Sequence, residues 1–413
     1  MMAVHNVIIS FVISMFLLPG LSSGGTMTEY NNLYNTYLKG YNKDCRPVQD
    51  QSTVTNASLY FYLESIADLD EVSSKLVTVG LFTIRWRDEA IIWDPSIYGN
   101  TTSLNIDESL VWKPSMALFN TMSTNVGLLG FKQSKVQYIY NGSALWNVAD
   151  RYQTTCDFDT TYFPFDEQTC EIKISAWDYT TDVLIIDPLI QTVDLTYYRE
   201  NGAWELVSTA AKPEILSYFS FVVFTLNLKR RAMFFIIYLL IPLFTMLLLN
   251  TLVFMLPAGS GERVSYSINC LLALTVFLTL VSEGLPQDSK PMPVIGYVLT
   301  VYLIISAIIS VETMVILSLQ HKEENDEIPP LFRKLYNIFN CAACKKRSGT
   351  VKAYSSHIDL EKVEEIDIQN NPNNLPLTWK KLSNRLDTIC FVSSLSFVIV
   401  VGVAFFVIVA VKP

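Results

Sequence analysis

The sequence predicts a β-sandwich followed by four membrane-spanning helices. Three observations indicate this organisation. Half of the 413 residues are apolar, and the long apolar runs lie in residues 1–20, 234–320 and 388–412. Between the first two blocks, short segments alternate apolar and polar residues at period two, which is the pattern of half-buried strands. The later blocks contain four apolar stretches of at least 20 residues, enough to cross the hydrocarbon core of a bilayer.

The first apolar block predicts a secretory signal peptide. Val7–Leu18 is a short apolar run, and Pro19, Gly20 and several small residues follow it. Such a run is too short to cross a bilayer comfortably, and small residues after it are typical of a cleavage site. We therefore expect residues 1–24 to be removed and the segment that follows to lie outside the cell.

Residues 25–231 are expected to form the β-sandwich outside the cell. Period-two alternation predicts strands in several segments, among them 59–63, 77–81, 136–140 and 219–223. Asn141-Gly142 stands between two apolar runs and predicts a β-hairpin. The amphipathic residues 28–40 predict a short helix. Three motifs for N-glycosylation agree with an extracellular location, at Asn56, Asn100 and Asn141.

The predicted spans are Phe234–Met255, 263–282, Val294–Leu319 and Thr388–Val411. We expect transmembrane helices 1–3 within 232–320, a cytoplasmic loop with amphipathic helices at 321–387, and the last helix with an extracellular carboxyl terminus at 388–413. Eleven Lys and Arg residues lie among residues 320–387, which favours the cytoplasmic side for this loop. The sequence thus predicts a multi-pass plasma-membrane protein with both termini outside.

Composition excludes several other classes of protein. A net charge of −9 disfavours a nucleic-acid partner, which would require a basic surface. The three histidines, at positions 5, 321 and 357, are scattered, and no nucleophile and base stand at a motif spacing. We therefore expect neither an enzyme nor a cofactor. Cys341 and Cys344 form a single Cys-x-x-Cys pair, too few ligands for a zinc site, so we expect no metal. Palmitoylation is the alternative for these two cysteines.

A cysteine pair gives the most specific motif. Cys156 and Cys170 enclose 13 residues with a Phe-Pro-Phe-Asp core at Phe163–Asp166. In a secreted domain we expect such a pair to form a structural disulfide, worth about 3 kcal/mol for a loop of this length. The motif resembles the signature of the Cys-loop receptor family. Further segments resemble nicotinic acetylcholine receptor subunits in order and spacing: Trp112-Lys113-Pro114, Ile241-Pro242, Gly261-Glu262-Arg263 and Leu271–Leu280.

This resemblance covers roughly residues 28–411 and implies both a fold and a function. The fold would be an immunoglobulin-like ligand-binding β-sandwich plus a four-helix transmembrane bundle in contact with membrane lipid. Such subunits assemble as homo- or hetero-pentamers around a central pore. The resemblance implies a cation channel that is opened by a small-molecule agonist bound between subunits.

The second span has the pattern of a helix that lines a pore. As an α-helix it would place one stripe of residues at steps of four and three: Ser265, Asn269, Leu272, Val276, Thr279 and Glu283. Polar residues are costly against lipid, so water in a pore would satisfy this stripe better. Leu272 and Val276 would form an apolar constriction that can dewet.

Charge at the two mouths of this pore favours cations. Rings of carboxylates from Glu262 at the inner mouth and Glu283 at the outer mouth would concentrate cations and repel anions. Arg263, directly after Glu262, is an objection to this assignment. By the resemblance, however, cation-selective nicotinic subunits also carry a basic residue at that position.

The resemblance also implies how ligand binding is coupled to the membrane helices. Glu71 would pair with Arg230, just before the first span, while an ordinary surface ion pair is the alternative. The disulfide loop would rest on the linker Gly284–Pro293 through three residues: Phe163, Pro164 and Phe165.

At the ligand site the resemblance is weaker. Trp177 stands at the position of the central tryptophan in an aromatic cage for organic cations, and Phe119 stands where a tyrosine is usual. No two cysteines are adjacent before the first span, and the ligand loop is short. Leu81 stands where many nicotinic subunits carry a tryptophan. The remaining candidate aromatic residues are Tyr218 and Phe219 on the ligand loop, and Tyr138 and Trp146 on the complementary side.

Three functions therefore stay open. The chain can form a homomeric channel for an agonist such as an amine, or serve as a subunit of a heteromer that does not itself bind agonist. It can also form a channel gated by protons or lipid-like amphiphiles.

Overall fold

The computed structural model describes residues 25–122, 127–128, 134–283, 292–322, 328–330 and 378–411. They form two compact units. The first contains the described residues up to Thr160 together with Pro164–Arg231, and the second contains Thr161–Phe163 and the described residues from Ala232 onward. The predicted signal peptide, most of the linker Gly284–Pro293, and Cys341 and Cys344 lie outside the described residues.

The first unit is a sandwich of two β-sheets that follows a short helix, α1. The helix spans Met27–Leu38 and confirms the amphipathic prediction. The strands are β1 (Thr55–Asp70), β2 (Lys75–Arg87), β3 (Ser103–Asp107), β4 (Met116–Leu118), β5 (Gly127–Leu128), β6 (Lys135–Ile139), β7 (Ser143–Thr155), β8 (Glu167–Ala176), β9 (Leu184–Pro188), β10 (Trp204–Leu216) and β11 (Phe219–Arg230). One sheet has the order β3-β6-β7-β2-β1-β9 and the other β10-β11-β8-β4-β5.

An aromatic cluster fills the centre of this sandwich. The rings of Phe61 on β1 and Phe82 on β2 stack at 4.2 Å, and the Phe224 ring of the opposite sheet lies 5.5 Å from both. Gly80 leaves room for this packing, because a Cβ atom there would lie 2.7 Å from the Phe61 ring. Burial of such large side chains is the main favourable term in the stability of the domain.

The face of β2 that points into the core differs from the one suggested by its apolar alternation. Val79 and Leu81 are only half-buried, whereas Gly80, Phe82 and Ile84 are buried. Because side chains alternate between the two faces of a strand, the run 77–81 marks mostly the outer face of the sheet. The strand itself was predicted correctly, and its inner face is formed by Gly80, Phe82 and Ile84.

The Asn141-Gly142 hairpin was predicted correctly. β6 and β7 are antiparallel, with Tyr138 opposite Ala144, and the three residues between the strands, Tyr140–Gly142, end with Gly142 at φ +84°. This left-handed conformation favours glycine, and a Cβ atom on Gly142 would lie 2.6 Å from the carbonyl oxygen of Asp88.

The second unit contains four helices that are long and apolar enough to cross a membrane. These are α2 (Met233–Met255), α3 (Arg263–Glu283), α4 (Val294–Gln320) and α5 (Trp379–Ala410). The helix α2 is irregular, with a π-helical segment at Ile236–Leu240 directly before the α-helical Ile241–Thr251. Pro242 explains the irregularity, because it has no N–H to donate to the preceding turn.

The fourth membrane helix begins well before the predicted apolar span. Its first residue is Trp379, and the side chain of Thr378 caps it by accepting a hydrogen bond from the backbone N–H of Lys381. The segment 379–387, assigned to the loop from the sequence, therefore belongs to this helix. It carries the helix from a polar beginning into the apolar span, and it brings Asp387 to the end of the bundle where α3 begins.

Candidate functional site

The helix α3 has two different faces within its own subunit. Along one face every candidate pore residue with a described side chain is exposed: Ser265, Asn269, Leu272, Val276 and Thr279. The opposite face is buried at Arg263, Ser267 and Leu274. Only 11 % of this span is buried, the smallest share of the four spans found among the described residues. The side chain of Glu283 lies outside the described residues.

The buried polar groups of α3 have partners in neighbouring helices. The Ser267 hydroxyl lies 2.7 Å from that of Ser310 on α4. Nearby, Asn250 on α2 donates to the hydroxyl of Ser306 at 2.8 Å. On the exposed face, the side chains of Ser265 and Asn269 make no hydrogen bond to any described residue. Because such groups are costly in hydrocarbon, this face requires water or another polar surface.

Opposite charges follow each other at the start of α3 but lie in different surroundings. Glu262 is exposed. Arg263 is buried, and its guanidinium donates to the carbonyl oxygens of Leu256 at 2.6 Å and Phe254 at 3.2 Å. It also pairs with the carboxylate of Asp387 on α5. The basic residue that spoke against cation conduction is thus neutralised inside the bundle, whereas the carboxylate beside it is free to meet solvent.

In the first unit, Arg230 at the end of β11 is the centre of a buried charge cluster. Its guanidinium binds both carboxylate oxygens of Asp166, at 2.7 and 3.0 Å, and also contacts the carboxylate of Glu71. The Trp204 ring lies 4.2 Å away. Burial alone would lower the pKa of Arg230, but Asp166 and Glu71 raise it above its ordinary value. The predicted Glu71 contact is therefore part of a larger cluster.

Asp166 was missed as a member of this cluster. Its side chain is only 1 % exposed, against 21 % for Glu71, so it is the more deeply buried partner. It is the last residue of the Phe-Pro-Phe-Asp motif, within the loop closed by the predicted disulfide, which is present between Cys156 and Cys170. The motif was the signal that could have found it, because an aspartate that follows Phe-Pro-Phe in a disulfide-closed loop is held close to the core, and a buried carboxylate needs a cationic partner.

The aromatic residues of the same loop differ in their surroundings. Phe163, which belongs to the second unit, packs edge-on against Phe235 at 4.7 Å between ring centres. In that unit the Thr161 carbonyl also accepts a hydrogen bond from the backbone N–H of Val294, the first residue of α4. Pro164 is buried and Phe165 half-buried. The predicted contact of this loop with residues 284–291 lies outside the described residues.

The predicted principal-side aromatics form an open cluster. The Trp177 and Phe219 rings are nearly parallel at 6.3 Å, and Phe119 lies 6.2 Å from Trp177. Trp177 is 50 % exposed and Phe119 47 %, so their ring faces are accessible. A further ring was missed, that of Phe221, which packs edge-on against Phe119 at 5.0 Å.

The ligand loop is reduced to a tight turn. β10 and β11 pair as far as Leu216 and Phe219, which leaves Ser217 and Tyr218 alone at the tip. Ser217 adopts a positive φ of 57°, and Tyr218 is 73 % exposed. The loop that is short in the sequence is therefore a two-residue turn between the strands, and Tyr218 lies at the hairpin tip.

Two of the predicted ligand-site aromatics are core residues, so that prediction was wrong. Tyr138 is fully buried, and its hydroxyl donates to Asp88 at 3.2 Å. Trp146 is 1 % exposed and donates to the Ser134 hydroxyl at 2.7 Å. Both side chains point into the sandwich because strand register places them on its inner face. Burial raises the pKa of the Asp88 carboxyl. Because a buried polar group is costly without a hydrogen bond, the Tyr138 hydroxyl stabilises this carboxyl in the core.

Beside the outer face of β2, the neighbouring strand β1 carries two aromatic residues, Tyr60 and Tyr62. Leu81 is half-buried and stands opposite Tyr62 of β1, whose ring lies 4.4 Å from that of Tyr60. The Tyr60 hydroxyl donates to Asp194. Both tyrosines lie on the same outer face as Leu81. Period-two alternation could have predicted this, because Leu59, Phe61 and Leu63 point into the core and the residues between them point outward.

The remaining sequence predictions concern modification and metals. The three predicted glycosylation sites, Asn56, Asn100 and Asn141, are all exposed on the first unit. Within the described part of the chain, no three potential metal-ligating side chains come together. Glycosylation stays a prediction.

The Arg230 cluster predicts a graded response to loss of charge. Asp166→Asn would leave a buried guanidinium partly uncompensated, at a cost of about 3–5 kcal/mol. We expect a severe loss of the protein at the cell surface, measured by surface biotinylation. Glu71→Gln, at the more exposed partner, should be milder.

The matched control is Glu200→Gln. Glu200 also pairs with an arginine, Arg231, but both side chains are exposed, at 78 % and 43 %, and such pairs contribute under about 1 kcal/mol. Equal surface levels for Asp166→Asn and Glu200→Gln would contradict a structural role for the buried pair.

Comparison with known proteins agrees with this architecture. Residues 30–232 match the neurotransmitter-gated ion-channel ligand binding domain, and residues 239–376 match the neurotransmitter-gated ion-channel transmembrane region. The chain is 30 % identical to the neuronal acetylcholine receptor subunit alpha-2 of Homo sapiens, over 75 % of this chain and 60 % of that protein. It is 28 % identical to subunit beta-3 of Gallus gallus, over 76 % of this chain and 70 % of that protein.

The chain spans about three fifths of the length of the alpha-2 subunits that it matches. The two family matches together nevertheless extend over most of it, and they follow each other in the same order as the sandwich and the membrane helices. The chain therefore belongs to the neurotransmitter-gated ion-channel family, the Cys-loop receptors.

Proposed function

We propose that this chain is a subunit of a pentameric ligand-gated channel of the plasma membrane that conducts cations through a pore lined by α3. The observation that carries the proposal is the exposed stripe from Ser265 to Thr279, which contains polar side chains without partners among the described residues. Five such stripes, one from each subunit, would face a common axis and enclose a water-filled space. In this arrangement both termini lie outside the cell.

The inner mouth supports selectivity for cations. Glu262 is exposed at the start of α3, while the charge of Arg263 is already paired with Asp387. Five copies of Glu262 around an axis would make a ring of net negative charge, which attracts cations and repels anions. Glu283 occupies the opposite end of the helix and is proposed to form the outer ring.

The middle of the stripe supports a gate. Leu272 and Val276 are 60 % and 54 % exposed within the subunit, at a depth where the helix offers no polar side chain on that face. Side chains of this kind at a narrow place exclude water when they approach and admit it when they separate. We infer that these two residues form the constriction that opens.

The open aromatic cluster supports a ligand with a small organic cation. Ring faces of Trp177, Phe119 and Phe219 attract such a group through their quadrupoles. The relatives described above are named as acetylcholine receptor subunits, and acetylcholine belongs to this chemical class. The short hairpin at Tyr218 leaves the cluster open on one side, so we propose that a second subunit completes it.

A specific observation favours a second candidate, a subunit that does not itself bind agonist. Leu81 puts no ring on the outer face of β2 where a cage would be closed, and the ligand loop is absent beyond Ser217 and Tyr218. Expression of the chain alone in oocytes separates the two functions. Current in response to amines, amino acids, pH steps or amphiphiles supports a homomer and identifies the class of agonist, whereas surface expression without current supports the heteromer.

Selectivity is tested by Glu262→Gln. Removal of the inner ring should shift the reversal potential, measured while external salt is diluted, toward zero. The loss of about 1 kcal/mol of attraction per ion corresponds to a roughly fivefold lower local cation concentration. Glu205→Gln is the control, since Glu205 is also an exposed carboxylate but lies on β10 of the first unit. An unchanged reversal potential in Glu262→Gln would contradict the assignment of the inner ring.

The ligand site is tested by Trp177→Ala. Because a cation on a tryptophan face gains about 1–2 kcal/mol, we expect the half-maximal concentration of an amine agonist to rise roughly 5- to 30-fold. Trp177→Phe keeps a ring, so its half-maximal concentration should lie between those of Trp177→Ala and the unmodified chain. Tyr140→Ala, at another exposed aromatic residue of the first unit, is the control, and equal responses of Trp177→Ala and the unmodified chain would refute the cage.

A further inference from the structure

We propose that Asp387 of α5 is a positioning residue for charge selectivity, because it holds the cationic side chain of Arg263 away from the inner mouth of the pore. The inference rests on the proposed function, since it concerns the same mouth. It assigns a part in selection to a residue that lies 124 positions along the chain from Arg263 and belongs to a different helix.

The contact between the two residues is bidentate. Arg263 Nη1 donates to Asp387 Oδ1 at 2.9 Å, and Nη2 donates to Oδ2 at 3.1 Å. The two side chains are only 4 % and 11 % exposed. Parallel hydrogen bonds of this kind fix the plane of the guanidinium as well as its position, which a single point charge would not do.

The other donors of the guanidinium are also engaged. Nε donates to the carbonyl of Leu256, and Nη2 also donates to that of Phe254. Phe254 lies in the last turn of α2 and Leu256 directly follows the helix, where backbone oxygens have no helical partner and favour a cation. Arg263 thus lies between the end of α2 and Asp387, directed into the bundle.

This arrangement matters because Glu262 precedes Arg263 directly. Among the described residues no cation lies within ion-pair distance of Glu262, whereas Arg263 is paired. Only a counter-charge can cancel the field of the positively charged guanidinium. Without Asp387, each subunit would bring one positive charge to the mouth for every negative one, and the ring would lose its net negative charge.

The other charged side chains nearby on α5 do not take this part. Lys380, Lys381 and Arg385 are exposed and carry positive charge. Asp387 is the carboxylate that meets Arg263 within the described residues. Its place on α5 therefore gives the fourth helix a task at the pore, although the pore stripe itself belongs to α3.

The test uses Asp387→Asn, which keeps the size of the side chain and one oxygen acceptor but removes the charge. In single-channel recordings we expect a severalfold smaller cation conductance and a reversal potential shifted toward zero under salt dilution. The double variant Asp387→Asn with Arg263→Gln removes both charges and should restore both quantities. A residue that only stabilises the fold would change the number of channels, but not the conductance of each.

Unmodified conductance and reversal potential in Asp387→Asn channels would overturn the inference, however few channels reach the surface. If the single variant does not reach the surface alone, its co-expression with the unmodified chain should give channels whose conductance falls in steps with the number of variant subunits. A single, unmodified conductance in that mixture would also overturn it.

The two proposals fail in distinguishable ways. A shift in Glu262→Gln without one in Asp387→Asn removes only the role of Asp387. No loss of selectivity in Glu262→Gln removes the inner ring on which the inference rests, and no cation selectivity in the unmodified channel removes the proposed function itself.

Discussion

The structure depends on one constraint, that every polar group on a membrane helix needs a partner. On α3 this constraint is met differently on its two faces. Ser267 is satisfied by Ser310, and Arg263 by Asp387 and two backbone carbonyls. Ser265 and Asn269 on the opposite face have no such partner within the described residues, so they require water or another polar surface. A helix with one face sealed in the bundle and the other wet is the minimum that a pore needs.

The same constraint organises the end of the sandwich. Asp166 is almost inaccessible and is tolerable only because Arg230 binds it with two hydrogen bonds. The disulfide between Cys156 and Cys170 closes the loop that carries this aspartate. The candidate ligand site differs from this buried cluster, because its rings are exposed and its loop is only a two-residue turn. Conduction is therefore more fully specified in this chain than the agonist is.

Sequence predicted what depends on local periodicity. The spans, the hairpin at Asn141-Gly142 and the exposed stripe of α3 follow from residue spacing alone. Contacts between residues far apart in the sequence could not be predicted in this way. The pair of Arg263 and Asp387 is an example, because the residues around a helix end do not indicate which distant residue it contacts. Tyr138 and Trp146 were placed at the ligand site by aromatic character, but strand register turned both into the core. The principal rings at Trp177 and Phe119 were found only through resemblance to a family.

The central claim, that the exposed face of α3 lines a water-filled pore, is tested most directly by the accessibility of single cysteines. In a Cys270→Ser background, cysteines would replace residues on the exposed face (Ser265, Asn269, Leu272, Val276) and on the buried face (Ser267, Leu274), and a charged thiol reagent would be applied from the aqueous side during current recording. We expect the reagent to change the current at the exposed positions and to leave it unchanged at the buried ones. Equal modification of both faces, or none along the exposed stripe, would contradict a pore lined by this helix.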